Sequence, residues 1–239
     1  RSESLVSDAH ARDAVSDAEL ALDADGKFLA MRVKTNHALG AYLGEAAVVP
    51  VGLGSTMYVG SYDLATCHIL VNAVFSNTTQ VSPYRGAGRP EASYVIERLV
   101  DAAAVEMGID PLELRRRNYI KPSAMPYQTA AGSIYDSGEF DRVTDMTAEL
   151  ADVAGFAARR AETEAEGKLR GLGITFFIEV GAPFNDRMQL YFDPAGGVTV
   201  AAGTHSHGQG HQTIYAQMVS DWLGVPFESV RLVQGDSDA

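Results

Sequence analysis

Cysteine is almost missing from this chain, and so is positive charge. Cys67 is the single cysteine in 239 residues. That excludes an internal disulfide, and it excludes a zinc or iron–sulfur site built from thiolates. Lys and Arg number 19 against 31 Asp and Glu, a formal net charge of -12. With no basic cluster beyond Arg115-Arg116-Arg117, which the sequence presents as the solvated end of a helix, a nucleic-acid partner is excluded. No apolar run reaches the roughly 18 residues of a membrane span, and the first residues carry neither the charged nor the apolar part of a secretion signal. A cytoplasmic protein without a membrane span is the expectation.

What is present is an ordinary globular composition, 46% hydrophobic and 21% charged, with patterning that changes along the chain. Residues 18–35 alternate about Asp23-Ala24-Asp25-Gly26 and predict a β-hairpin. Residues 36–66 give only mixed loop and short structure, whereas 67–79 are β-branched and aromatic enough for a buried strand. From Glu91 the residues Tyr94, Val95, Leu99, Val100, Ala103 and Val105 predict a helix closed by Gly108, and Asp110-Pro111 caps a shorter one. A polar helix is predicted over about 139–165, ending in the charge-rich AETEAEGK. Beyond it come a strand at 171–180, a hairpin over 187–204 and a helix whose face carries Ile214, Tyr215, Met218, Val219, Trp222 and Leu223. That helix stops at Gly224, before a last strand in SVRLVQGD. Helices and strands mix without regular βαβ alternation, so the fold class is α+β, mixed sheets with packed helices. The charge-rich stretch suggests two parts, 1–165 and 166–239.

Two loops carry the chemistry. In THSHGQGHQT, residues 204–213, stand His205, His207 and His211, half of the six histidines. Two imidazoles spaced H-x-H on a strand share a face, so a histidine metal site is physically possible, but no acid or thiol lies in the segment to complete it. Gly208-Gln209-Gly210 is more informative, since it joins a strand to the first turn of a helix. Unpaired main-chain N–H groups and the helix dipole there favour an anionic or oxygen-rich ligand, and glycine lets it approach. The plainer alternative is that the two glycines only make the turn. Pro83-Tyr84-Arg85-Gly86-Ala87-Gly88-Arg89-Pro90 repeats the arrangement before a second helix, with fixed positive charge beside it.

The runs SPYRGAGRPEASYVIERLVDAAAVEMGIDPLELRRRNYI and HSHGQGHQTIYAQMVSDWLGVPFESVRLVQGDSD resemble the molybdopterin-binding large subunit of the xanthine dehydrogenase, aldehyde oxidase and aerobic carbon monoxide dehydrogenase family. The likeness extends to YDLATCHILVNAVFSNT and GLGITFFIEV. It implies a molybdenum-cofactor-binding domain of molybdenum hydroxylases, and a cofactor of molybdopterin cytosine dinucleotide whose pterin holds the molybdenum, so that no residue here is a direct metal ligand. It places Gly208, Gln209, Gly210 and His211 against the cofactor, and Arg85 and Gly86 beside the molybdenum. It puts Ala87 and Glu179 at the substrate pocket. It also implies partner subunits carrying 2Fe-2S clusters and FAD, and hydroxylation of a small molecule with water-derived oxygen.

Where carbon monoxide dehydrogenases carry a copper-bridging cysteine after the loop arginine, Gly86-Ala87-Gly88 follow Arg85. Where xanthine-oxidising enzymes place a stacking aromatic, Ala87 stands. An aldehyde or an N-heterocycle is therefore the expected substrate. The family's catalytic glutamate falls beyond residue 239 and an earlier cofactor loop before residue 1, so 1–165 and 166–239 are expected to be incomplete halves, with no catalytic residue, inactive by themselves. The alternatives are a cofactor-free binding or maturation module of the same fold, a carbon monoxide dehydrogenase-like enzyme lacking copper, and a histidine metalloprotein.

Overall fold

The structure is a computed structural model and describes residues 2–44, 46–179 and 186–236. The elements are α1 (Ser2–Ser7), β1 (Ala14–Leu22), β2 (Phe28–Ala38), α2 (Val49–Ser55), β3 (Thr66–Val74), α3 (Arg89–Met107), α4 (Pro111–Asn118), β4 (Tyr127–Gln128), β5 (Ile134–Tyr135), α5 (Phe140–Leu150), α6 (Phe156–Ala165), β6 (Met188–Phe192), β7 (Val198–Ala202), α7 (His211–Leu223) and β8 (Val230–Gln234). They pack as two units, Arg1–Glu179 and Val180–Ala239. The mixture of helices and sheets is α+β, as the pattern predicts.

In the first unit β1 and β2 form the expected antiparallel hairpin, and β3 runs parallel to β2. From Met31 on, β2 alternates strictly, with Met31, Val33, Thr35 and His37 buried and Arg32, Lys34 and Asn36 exposed; a period of two puts alternate residues on one face. Helix α3 covers that face, but with a phase the sequence does not show. Its buried stripe is Ala92, Ile96, Val100, Ala103 and Ala104, while the larger Tyr94 and Val105 are exposed. Alanines let helix and sheet approach closely, so the small residues mark the contact.

The helix predicted over 139–165 is two. Helix α5 ends at Leu150 and α6 begins at Phe156, and between them Asp152 adopts a φ of 47° with Gly155 following.

The strand expected at 171–180 pairs with no other strand over its described residues 171–179. It is tied to the first unit by side chains. Phe176 meets Tyr119 at 5.6 Å and Phe140 at 5.2 Å between ring centroids, joining an aromatic row that continues through Tyr62 and Phe28. Arg115 corrects the sequence reading most sharply. It is fully buried, donates from Nε to Glu97 at 2.8 Å and from Nη2 to Asp101 at 2.8 Å, and reaches the Ile174 carbonyl at 3.1 Å. A guanidinium is buried only where carboxylates compensate it, and a single sequence does not show that Glu97 and Asp101 face it from the preceding helix. Asn118, also buried, accepts from Phe28 N and donates to the Gly26 and Leu114 carbonyls, closing the base of the hairpin.

The second unit repeats the topology. Strands β6 and β7 form an antiparallel hairpin and β8 lies parallel to β7, with α7 in the crossover. Its small core is Val198, Val200, Ala216, Val219 and Val230. Of the helix face predicted from the sequence, Val219 is buried, whereas Ile214, Met218, Trp222 and Leu223 are exposed. No helix among the described residues is long and apolar enough to cross a membrane.

Candidate functional site

Both glycine-rich loops end in the same local device. A left-handed glycine stands immediately before the helix, Gly88 at φ 98° for α3 and Gly210 at φ 77° for α7. Neither helix has a side-chain cap, but in α3 the Arg89 N–H is taken by the Gly86 carbonyl at 3.1 Å and Pro90 has none, so it is at α7 that the first-turn N–H groups look out from the helix end.

In the first loop Gly86, Ala87 and Gly88 have φ values of 95°, 45° and 98°. Three consecutive left-handed residues, one of them an alanine, turn the backbone sharply and carry strain that the surroundings must hold. Gly88 is also required for space: a Cβ there would lie 2.0 Å from the Pro50 carbonyl oxygen at the start of α2. A Cβ on Gly86 would lie 2.7 Å from the Pro90 ring.

The loop is braced from both sides. Arg12 donates to the Arg85 carbonyl at 2.5 Å, and its guanidinium lies over the Tyr84 ring at 4.9 Å. Arg89, buried, donates from Nη1 to the Gly86 carbonyl at 3.0 Å and pairs through Nη2 with Glu179 at 2.8 Å. Arg12 gives no local signal, being 73 positions from Arg85. Arg89 does give one, since it opens a helix directly after the glycines and before a proline. On β2, His37 is buried, and that burial pulls its imidazole below the ordinary value of 6.5 while Glu91, in the first turn of α3, acts the other way.

In the second loop Gly208 and Gly210 have φ values of 102° and 77°. Gln209 turns back onto its own loop, accepting from His207 N and donating to the His205 carbonyl at 3.2 Å. The His205 and His207 rings lie 5.1 Å apart. His211, the first residue of α7, stacks on Tyr215 at 5.0 Å. It is 8% exposed, and its Nδ1 is buried with no hydrogen-bond partner among the described residues. Among the described residues no three His, Cys, Asp or Glu side chains come together in a way that could hold a metal ion. A Cβ on Gly210 would meet nothing within 4 Å, so the main chain before α7 is open to a ligand.

The residues singled out in the sequence thus fall into two groups. Arg85, Gly86, Ala87 and Glu179 belong to the first unit, where Glu179 is joined to the arginine loop through Arg89. Gly208, Gln209, Gly210 and His211 form the loop and first turn of the second. Cys67 lies on β3, partly buried against the core, and burial raises its thiol above the usual range, keeping it protonated.

Comparison with known proteins defines the class. Two family models, each described as a molybdopterin cofactor-binding domain, match residues 1–119 and 146–239. The chain is 33% identical to the carbon monoxide dehydrogenase large chain of Hydrogenophaga pseudoflava, covering 99% of this chain and 32% of that one. It is 32% identical to the nicotine 6-hydroxylase large subunit of Paenarthrobacter nicotinovorans, over 99% of this chain and 31% of the relative. The quinoline 2-oxidoreductase structure from Pseudomonas putida 86 superposes with a TM-score of 0.86 at 32% identity, over 98% of this chain and 32% of that chain.

A molybdopterin cofactor-binding module is therefore the class that fold and matches define. More narrowly, the chain belongs to the molybdopterin cofactor-binding domain family, and its relatives include these large subunits and the xanthine dehydrogenase molybdenum-binding subunit of Escherichia coli O157:H7, to which it is 25% identical. It spans about a third of the length of those relatives.

Proposed function

We propose that the chain is the part of a molybdenum hydroxylase large subunit that grips molybdopterin, in its cytosine dinucleotide form, within a cytoplasmic enzyme. The observation that carries this reading is the orphaned Nδ1 of buried His211 at the open end of α7. A buried polar atom costs about 1–3 kcal/mol when left unpaired, so it calls for a partner, and the uncapped N–H groups and the two left-handed glycines beside it suit an anionic, heteroatom-rich group.

Gly208, Gly210 and the first turn of α7 would hold the cofactor by main-chain donors, and Gln209 would exchange its contacts within the loop for the same group. Arg85 and Gly86 would present charge and backbone beside the metal, with Ala87 and Glu179 at the substrate pocket. The two cofactor-binding subdomains divide near 165/166 in this reading. When bound, such a cofactor supplies transfer of a water-derived oxygen to a carbon centre with removal of two electrons. Partner subunits carrying 2Fe-2S and FAD groups would accept those electrons.

The residues of this chain bind and orient; none is assigned a proton-transfer role. Ala87, small and between two glycines, leaves room for a ring beside Arg85 and offers neither thiolate nor stacking face. That favours an aldehyde or N-heterocycle over carbon monoxide and over a purine. The test is oxidation of a panel of aldehydes and N-heterocycles by the full-length enzyme in 18O-labelled water with an artificial electron acceptor. Label in the product supports the hydroxylase. Unlabelled product, or a cofactor-free protein that only binds, contradicts it.

A further inference from the structure

The strained turn at 86–88 needs something to hold it, and the structure shows what does. The Gly86 carbonyl takes two hydrogen bonds from one residue, the main-chain N–H of Arg89 at 3.1 Å and its Nη1 at 3.0 Å. The N–H on the other side of that peptide, Ala87 N, donates to the Tyr84 carbonyl at 2.7 Å. Both edges of the Gly86–Ala87 peptide plane are therefore fixed. Arg89 is itself held, since its Nη2 lies 2.8 Å from the Glu179 carboxylate, and its Nε, also buried, has no hydrogen-bond partner among the described residues.

Glu179 is in turn placed by the extended segment that carries it. Phe176 N donates to Glu97 at 3.2 Å, and Arg115 holds the Ile174 carbonyl at 3.1 Å. Phe177, next along, comes within reach of the loop, since a Cβ on Gly86 would lie 3.8 Å from its ring.

We infer that Arg89 and Glu179 form a latch, in which Arg89 is the positioning residue that sets the Gly86 carbonyl, and with it the left-handed run 86–88, and Glu179 locks Arg89 from the segment 171–179. The side chain of Arg89 is 11% exposed and that of Glu179 49% exposed, so the pair is half in water and can be opened at the glutamate without emptying the core. A lysine could not replace Arg89: a single ammonium lacks the fork that reaches a carbonyl with one nitrogen and a carboxylate with another. The latch keeps the backbone beside Arg85 in one shape. That this shape serves a cofactor rests on the proposed function.

The test is amide hydrogen exchange in the full-length protein, comparing wild type with Glu179→Ala, Glu179→Gln, Arg89→Lys and, as an unrelated surface pair, Glu139→Gln. Glu179→Ala and Arg89→Lys are expected to speed amide exchange of residues 84–89 by about tenfold or more. Exchange across Ile96–Ala104 stays unchanged, Glu179→Gln recovers part of the protection because its amide oxygen still accepts, and Glu139→Gln leaves the loop as it was. Loop exchange equal to wild type in Glu179→Ala overturns the latch. So does faster exchange spread equally over α3, which would make the pair a support of the helix only. Glu179→Ala changes a half-exposed side chain, so it answers the question even if Arg89→Lys does not fold. Molybdenum measured on the same wild-type sample separates the two ideas: molybdenum present with an unaffected loop sinks the latch alone, and molybdenum absent with an affected loop sinks the cofactor reading alone.

Discussion

At the scale of single residues, glycines and histidines carry most of what the sequence shows. Gly86, Gly88, Gly208 and Gly210 are legible as loop residues, and each has a positive φ. What the sequence hides is the neighbour that makes one of them irreplaceable. Gly88→Ala would bring a Cβ to 2.0 Å from the Pro50 carbonyl at a φ of 98°, and should lower stability by about 3 kcal/mol in denaturant unfolding. Gly108→Ala, at a positive φ but with nothing within 4 Å of its Cβ, should cost only about 1 kcal/mol. His37 gives a pH test. Its folded value lies below the ordinary 6.5 because it is buried. Its contribution is present above 6.5 and is lost as pH falls through the lowered folded value, when a charged imidazole must leave the core. His37→Gln should therefore lose less thermal stability than wild type on moving from about pH 7 to about pH 5, read from the two melting temperatures at each pH.

Elements were legible where periodicity is strong and obscure where long-range partners decide. The hairpin about Asp23–Gly26 and the helix closed by Gly108 lie where alternation and turn residues indicate, whereas the buried strand expected over 67–79 is the shorter β3, none of whose residues is fully buried and whose Leu70 and Val74 are exposed. The face of α3 was not legible, because large side chains at Tyr94 and Val105 point outward and alanines make the contact. Nor was the segment 171–179, whose apolar residues suggest a strand but whose anchors are the aromatic row and the Arg115–Glu97 pair. Glu97 is pushed above its usual range by burial, with Arg115 pulling against that shift. Arg115→Met removes one partner of a buried pair and should cost about 3–5 kcal/mol near pH 7. A carboxyl with a raised folded value is favoured by protonation, so its penalty grows as pH rises through that value and shrinks as pH falls. The deficit of Arg115→Met should accordingly be smaller at about pH 5 than at about pH 7 in paired denaturant titrations; an equal deficit at both would show that Glu97 does not carry the buried charge.

The whole molecule is two units built alike, each an antiparallel hairpin extended by a parallel strand and each containing a helix that starts on a left-handed glycine. The sequence shows no repeat to match, because topology is kept by patterning and turn geometry while the residues filling the cores differ. Family membership was legible from two runs, each a glycine-containing loop leading into a helix. Where those loops meet a cofactor is the central claim, and the stoichiometry of molybdenum and pterin in the purified full-length protein tests it most directly, in wild type and in Gly210→Val. The account predicts about one molybdenum and one pterin per chain in the wild type, and a loss of about tenfold or more in the variant, whose side chain would crowd an open main-chain approach at a φ that valine resists. A folded wild type without molybdenum, or a Gly210→Val protein that retains a full complement, would contradict it.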